Sequence, residues 1–218
     1  MRGVSQANMD LSIFQETKVT NGIYTRGSVG YSIVATDVPS RHCGGVPVFH
    51  RSAPHFAVEA VQKFGSNVVG FHLATGERQW YIMGFYLAPN NTSTIESAVA
   101  ALKERPRGAK LLVVGDFNIK MAEPEGDWRG EDIEATMATE GLVYMSAHFF
   151  LHRRSWCWDG RTWSMIREGR EMRSRTDYIL GTDRLLFGNF SIRDPWNNSY
   201  HYMFLGCLHS VPLRYHIR

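Results

Sequence analysis

Apolar positions along this chain gather into short runs separated by turn residues. Leu11–Phe14, Val46–His50, Val68–Leu73, Trp80–Tyr86, Leu111–Gly115, Thr176–Leu180, Phe190–Arg193 and Tyr202–Leu205 each mix β-branched, aromatic and aliphatic residues, the composition that fits a pleated, half-buried surface and predicts strands. Two stretches follow the helical period instead. In Thr92–Glu104 the residues Ile95, Val99 and Leu102 line one stripe, and Glu131–Glu140 opens acidic and stops at Gly141. Many strands with a few helices to cover them predict an α/β layered sandwich. The polar stretches Glu123–Gly130 and Arg167–Arg175 predict surface loops, and with no repeat, low-complexity tract or linker residues 1–218 read as one domain.

Composition changes this picture little. An apolar fraction of 44% with 12% aromatic residues fills a sizeable core and excludes a disordered chain. The formal charge of +3 permits a polyanionic partner without demanding one. Cys43, Cys157 and Cys207 are too scattered for a disulfide framework or a zinc knuckle, which points to a reducing, intracellular setting. Neither a signal peptide nor a membrane-length apolar run is present, and no obligate protein partner is readable.

Four segments carry candidate chemistry. The run Leu111–Val114 ends in Gly115-Asp116-Phe117-Asn118, which delivers an acid and an amide to a strand end, where a carboxylate can activate water or hold a cation. Taken alone, GDFN reads at least as well as a turn, because Asp and Asn bond their own backbone. Phe14-Gln15-Glu16 is a second short strand ending in a carboxylate, and a hard cation that keeps several waters needs few such groups. Asp177, in Ser174-Arg175-Thr176-Asp177, opens a further strand, with Arg175 beside it as a candidate substrate contact. His201 precedes the last strand, and an Asp hydrogen-bonded to a His fixes its tautomer for proton transfer. His148 and His152 have ligand-like spacing but lack a third ligand and read as structural.

In this order, together with Tyr86-Leu87-Ala88-Pro89-Asn90, these segments resemble the endonuclease/exonuclease/phosphatase superfamily, and within it the apurinic-type endonuclease domain of non-LTR (LINE-type) retrotransposons. The resemblance runs from about Asp10 to about Leu213 and includes GGVPVFHRS, SAHFF, RTWSM and SYHYMFLGCL. It implies a four-layer α/β sandwich of two facing mixed sheets and hydrolytic nicking of DNA that leaves a 3′-hydroxyl. The cofactor it implies is Mg²⁺ or Mn²⁺. Carried over by motif, Glu16 is the metal-binding Glu, Tyr86 contacts the phosphate, Asn90 approaches the DNA strand, and Asp116 activates the attacking water with Asn118 as its partner. Asp177 orients, and His201 is the catalytic His. His201 is preferred to His209 because the strand-like Tyr202–Leu205 follows it directly and its separation from Asp177 suits the family better. A nuclease acting on genomic DNA would be nuclear.

The chain departs from the family pattern in two places. Where the family reads Ser-Asp-His, this sequence reads Ser199-Tyr200-His201, so a carboxylate that helps bind metal is replaced. No strand followed by Asn-x-x-Gly precedes Glu16, so the first core strand is expected to be missing and the domain incomplete at its N-terminus; no reverse-transcriptase segment precedes Arg218.

Two principal readings stay open. One is a metal-dependent DNA endonuclease with impaired activity. The other is an inactive transposon-derived remnant with at most nucleic-acid binding through Arg153, Arg154, Trp156, Trp158 and Trp163, although core packing explains such aromatic residues as well. A phospholipid substrate would keep the fold, but the PAWCDR-like stretch of the inositol phosphatases is absent. Serine-hydrolase GxSxG and nucleotide-binding GxxxxGK[ST] motifs are also absent.

Overall fold

A computed structural model describes residues 10–15, 31–36, 44–51, 57–75, 78–121, 127–145, 163–167, 170–174, 176–182, 187–193 and 203–208. Its centre is a six-stranded mixed sheet built from β4 (Ala57–Phe64), β5 (Val68–Thr75), β6 (Arg78–Tyr86), β7 (Lys110–Asp116), β11 (Asp177–Gly181) and β8 (Val143–Tyr144), in that spatial order. Only β6 and β7 run parallel, joined by α1 (Thr92–Glu104); the other pairings in this sheet are antiparallel. A second sheet has the order β1 (Leu11–Ile13), β3 (Pro47–Arg51), β2 (Tyr31–Ala35). Its described pairings are antiparallel.

Residues 80–87 are buried without interruption, the mark of a strand covered on both faces. On one face Tyr81, Met83, Phe85, Leu111 and Val113 pack under Ile95, Ala98, Ala101 and Leu102 of α1 and under Ile133 and Met137 of α2 (Glu131–Thr139). On the other, Trp80, Ile82, Phe71, Leu112 and Ile179 meet Val46 and Val48, with Leu11 and Ile13 packed against them from β1. Each large apolar side chain so buried contributes about 1.5–3 kcal/mol. Helices, the six-stranded sheet and the second sheet are thus three of the four layers expected.

Both helices lie where the helical period put them, α1 with the same bounds and α2 one residue shorter at its C-terminal end. The eight strands read from the sequence are present, with shifts at their ends. Strands β2, β4 and β8 were not anticipated. The stretch Arg167–Arg175, expected as a loop, instead belongs largely to a hairpin of β9 (Trp163–Arg167) and β10 (Arg170–Ser174). Backbone ladder bonds do not depend on side-chain polarity, so a charged edge hairpin gives little alternation to read. A second hairpin pairs β12 (Phe187–Arg193) with β13 (Met203–Leu208). The expected loop at 123–130 ends in a single 3-10 turn, Trp128–Gly130.

Candidate active site at the end of β6 and β7

Parallel neighbours that share a crossover helix end at the same sheet edge, and there the register brings three candidate residues level. Tyr86 of β6 is opposite Asp116 of β7, and Asp116 is opposite Asp177 of β11. Side chains alternate along a strand, so these three share the face of Ile82, Leu112 and Ile179, toward the second sheet. Tyr86 is 2% exposed, Asp116 3% and Asp177 7%, so the three form a floor beneath the surface. Directly opposed like charges repel across a ladder, and two carboxylates so placed favour a positive counter-charge.

Local sequence explains why this edge is held so firmly. A Cβ on Gly115 would come within 2.1 Å of the Phe85 carbonyl oxygen, so β6 and β7 can approach here only with glycine at that position. Past the strand end, the Leu87 N–H donates to the Asp116 carbonyl (2.9 Å) and the Phe117 N–H to the Thr176 carbonyl (2.8 Å), extending both ladders. Phe117 is fully buried between Phe85 and Tyr178, with ring centroids 5.5 and 5.6 Å away.

The next residue, Asn118, sits at φ +48°, a left-handed conformation that Asn tolerates. Its backbone N–H donates to Asp116 Oδ1 (3.0 Å), while its side-chain Nδ2 donates to Asp116 Oδ2 (2.9 Å) and to the Leu87 carbonyl (2.9 Å). GDFN is therefore a turn of the kind its composition favours and also a holder for Asp116, both of whose oxygens it fixes in place. With its amide nitrogen committed to those acceptors, Asn118 acts first on Asp116. Thr176 Oγ1 donates weakly to Asp177 Oδ2 at 3.4 Å.

Asn90 reaches the rim by a similar device. Pro89 precedes it, its φ is +58°, and the Asn91 N–H donates to the Ala88 carbonyl (3.3 Å), the features of a type II turn. Asn91 then caps α1 by accepting from the Ser93 N–H at 3.1 Å. Asn90 is exposed.

Three anchors were not read from the sequence. Asn67, in the turn before β5, donates through Nδ2 to the Tyr86 carbonyl (2.8 Å), and its own carbonyl accepts from the Tyr86 N–H (2.8 Å). The phenol of Tyr178 accepts from the Met121 N–H (2.8 Å) and donates to the Ile119 carbonyl (3.2 Å), tying down the loop beyond Asn118. Arg129 Nη2 donates to the Asn118 carbonyl (3.3 Å). Tyr178 stands next to Asp177 and Asn67 in a Gly-Ser-Asn turn, but neither position announces its bonds. Glu16, Arg175 and His201 lie outside the described residues, as do Tyr200, His209 and the run from Arg153 to Trp158. Among the described residues no three His, Cys, Asp or Glu converge as metal ligands, and no helix is long and apolar enough to cross a membrane.

Comparison with known proteins adds to this geometry. The sequence profile of the Endonuclease/Exonuclease/phosphatase family matches residues 4–201. No curated protein matches the chain. Among solved structures, the endonuclease domain of TRAS1, a telomere-specific non-LTR retrotransposon, superposes with a TM-score of 0.71 at 16% identity, covering 96% of this chain and 90% of that one. An AP endonuclease, LMAP from Leishmania major, gives 0.64 at 14% identity, with 93% and 79% covered. TDP2 of D. rerio, complexed with single strand DNA product, gives 0.57 at 15% identity, with 88% and 78% covered. At such identities the likeness is one of fold.

Proposed function

Because this chain belongs to the Endonuclease/Exonuclease/phosphatase family, we propose that it is a divalent-metal-dependent phosphodiesterase that nicks DNA, of the retrotransposon endonuclease type. One observation carries the reading: Tyr86, Asp116 and Asp177 stand level on three neighbouring strands, with Asn118 holding both oxygens of Asp116. The solved structures of similar fold include an AP endonuclease and an endonuclease domain, which supports DNA as the substrate.

A phosphodiester is attacked in line, and negative charge grows on its oxygens as the bond to the leaving group breaks. In this reading Asp116 takes the proton of the attacking water, and Asn118 keeps the carboxylate in the one orientation that can do so. Asp177 orients His201, which stabilises the developing charge or protonates the leaving oxygen. Tyr86 donates to a non-bridging oxygen, while Asn90 and Arg175 contact the strand. Glu16 is the hard oxygen donor that would hold Mg²⁺ or Mn²⁺. Such an ion supplies Lewis-acid stabilisation of phosphoryl charge.

Purified protein incubated with supercoiled plasmid and Mg²⁺ or Mn²⁺ is expected to yield open circles. The activity should disappear with a chelator and fall steeply in Asp116→Asn and His201→Ala. Nicking by either variant at the wild-type rate overturns the reading. A second reading, an inactive remnant with at most nucleic-acid binding, rests on Tyr200, which occupies the place of a metal-binding Asp. It predicts no cleavage by the natural sequence and a gain of cleavage in Tyr200→Asp.

A further inference from the structure

Trp128 is 72% exposed, the one large hydrophobic side chain left open among the described residues. An indole left open to water presents a broad apolar face together with a polar N–H. The residue sits in the polar stretch 123–130, and its position in the fold is what gives it meaning.

The turn beneath the ring is rigid. Asp127 caps it, Oδ1 accepting from the Arg129 N–H (3.1 Å) and from Arg129 Nε (2.9 Å), and the same pair is closed by a short ion pair through Nη2. The Gly130 N–H donates to the Asp127 carbonyl at 2.7 Å. Gly130 lies flat on Ile119, where a Cβ would come within 2.9 Å of Ile119 Cγ2. Arg129 meanwhile reaches the carbonyl of Asn118, the residue that holds Asp116. The ring is therefore carried on a braced turn docked against the segment that leaves the candidate site.

The charges around it are mixed. Lys120 is exposed and close enough to Asp127 to help hold that carboxyl below its usual range, chiefly an effect of Arg129. Glu131 and Asp132 follow immediately and are exposed. Among the described residues this rim offers no continuous track for a phosphate backbone. An exposed aromatic face on a braced turn offers stacking, which every base accepts.

Resting on the nuclease reading above, we propose that Trp128 is a stacking platform for an unpaired base of the DNA strand at the Asn118 edge of the site, with Asp127 and Arg129 positioning the ring. Stacking needs a base that has left the duplex, so the platform acts on a strand that is single or locally opened.

The test is binding of a short fluorescein-labelled oligothymidine, measured by anisotropy, against an abasic phosphodiester chain of equal length. Trp128→Ala is expected to weaken oligothymidine binding about 5- to 100-fold. Trp128→Phe should recover most of the loss, and the abasic chain should bind wild type and Trp128→Ala alike. The ratio of wild-type to Trp128→Ala affinity should hold as salt is raised, since stacking releases no counterions. Equal oligothymidine binding by wild type and Trp128→Ala overturns the proposal, as does an equal loss on the abasic chain or no binding by wild type. Plasmid nicking by the same preparations separates the two readings. Nicking with binding that ignores Trp128 removes the platform alone; Trp128-dependent binding without nicking removes the nuclease reading and leaves the platform.

Discussion

At the start of β7, buried charge is paired with its opposite. At its end, buried charge is set beside its like. Arg105, which ends α1, and Glu140, which ends α2, form an ion pair with side chains each 8% exposed, and the exposed Arg107 donates to the same Glu140 oxygen. Across the length of the strand, Asp116 stands opposite Asp177. The first arrangement neutralises itself inside the fold and fastens two helices. The second sets two carboxylates level with each other, and like charges directly opposed across a ladder repel. Under the function proposed above, the comparison sets a structural charge against a functional one, and substitutions can test that division.

Asp116→Asn is the largest expected break in this contrast. Loss of the proton acceptor should lower nicking by about 100- to 10,000-fold. The repulsion between opposed carboxylates is removed, but both Asp116 oxygens accept from Asn118 donors, so the new amide NH2 must face one of them and a hydrogen bond is lost. The two effects offset and the melting temperature should change little; a fall as large as that of Glu140→Gln would place Asp116 in the structural class.

Glu140→Gln should do the reverse. Removing one partner of a buried pair strands the other charge, at a cost of about 3–5 kcal/mol in chemical denaturation, while the activity of folded protein is unchanged. The same pair fixes a pH dependence. Arg107, with Arg105, holds the Glu140 carboxyl below its ordinary range against the opposing effect of burial. An acid whose folded value is depressed stabilises fully above its unfolded value, about 4.3, and the contribution is lost as the pH falls through the folded value. The stability gap between wild type and Glu140→Gln should therefore be constant near neutrality and close with acidification below about pH 4.3. A gap that fails to narrow as the pH falls below about 4.3 would assign the stabilisation to something other than this charge.

The contrast was only half legible in the sequence. The sequence placed Asp116 at the end of one strand and Asp177 at the start of another, but their opposition across β7 and β11 depends on a pairing between residues far apart in the chain. Asn118 was expected beside the phosphate; its bonds to Asp116 and Leu87 follow from a left-handed backbone that composition permits without dictating. The Arg105–Glu140 pair left no trace, since each residue reads as an ordinary charge at a helix end. Strand β4 shows how the pattern itself can mislead. Val58 and Val61 are three apart, a helical spacing, yet both pack against the same between-sheet cluster. A bulge between Glu59 and Gln62, with Ala60 at φ +46°, shifts the alternation by one residue and brings them to one face. Alternation is visible only where the ladder is regular, as in β6 and β7.

Tyr178→Phe is the smallest change and tests whether the two ends of the comparison are mechanically independent. The phenol is buried and joins the Met121 N–H to the Ile119 carbonyl, so losing it leaves a buried donor unsatisfied at about 1–3 kcal/mol. That loop continues from Asn118, and its loosening should reach Asp116 through the Asn118 bonds. Nicking should fall by more than the folded fraction alone explains, though far less than in Asp116→Asn, while Glu140→Gln on the same background should subtract its usual stability increment. Additive losses, within about 0.5 kcal/mol, would show that the helix-end ion pair and the carboxylate floor are separate devices. A large coupling would mean instead that the hydrophobic layer between them, from Phe117 to Met137, transmits strain from one to the other.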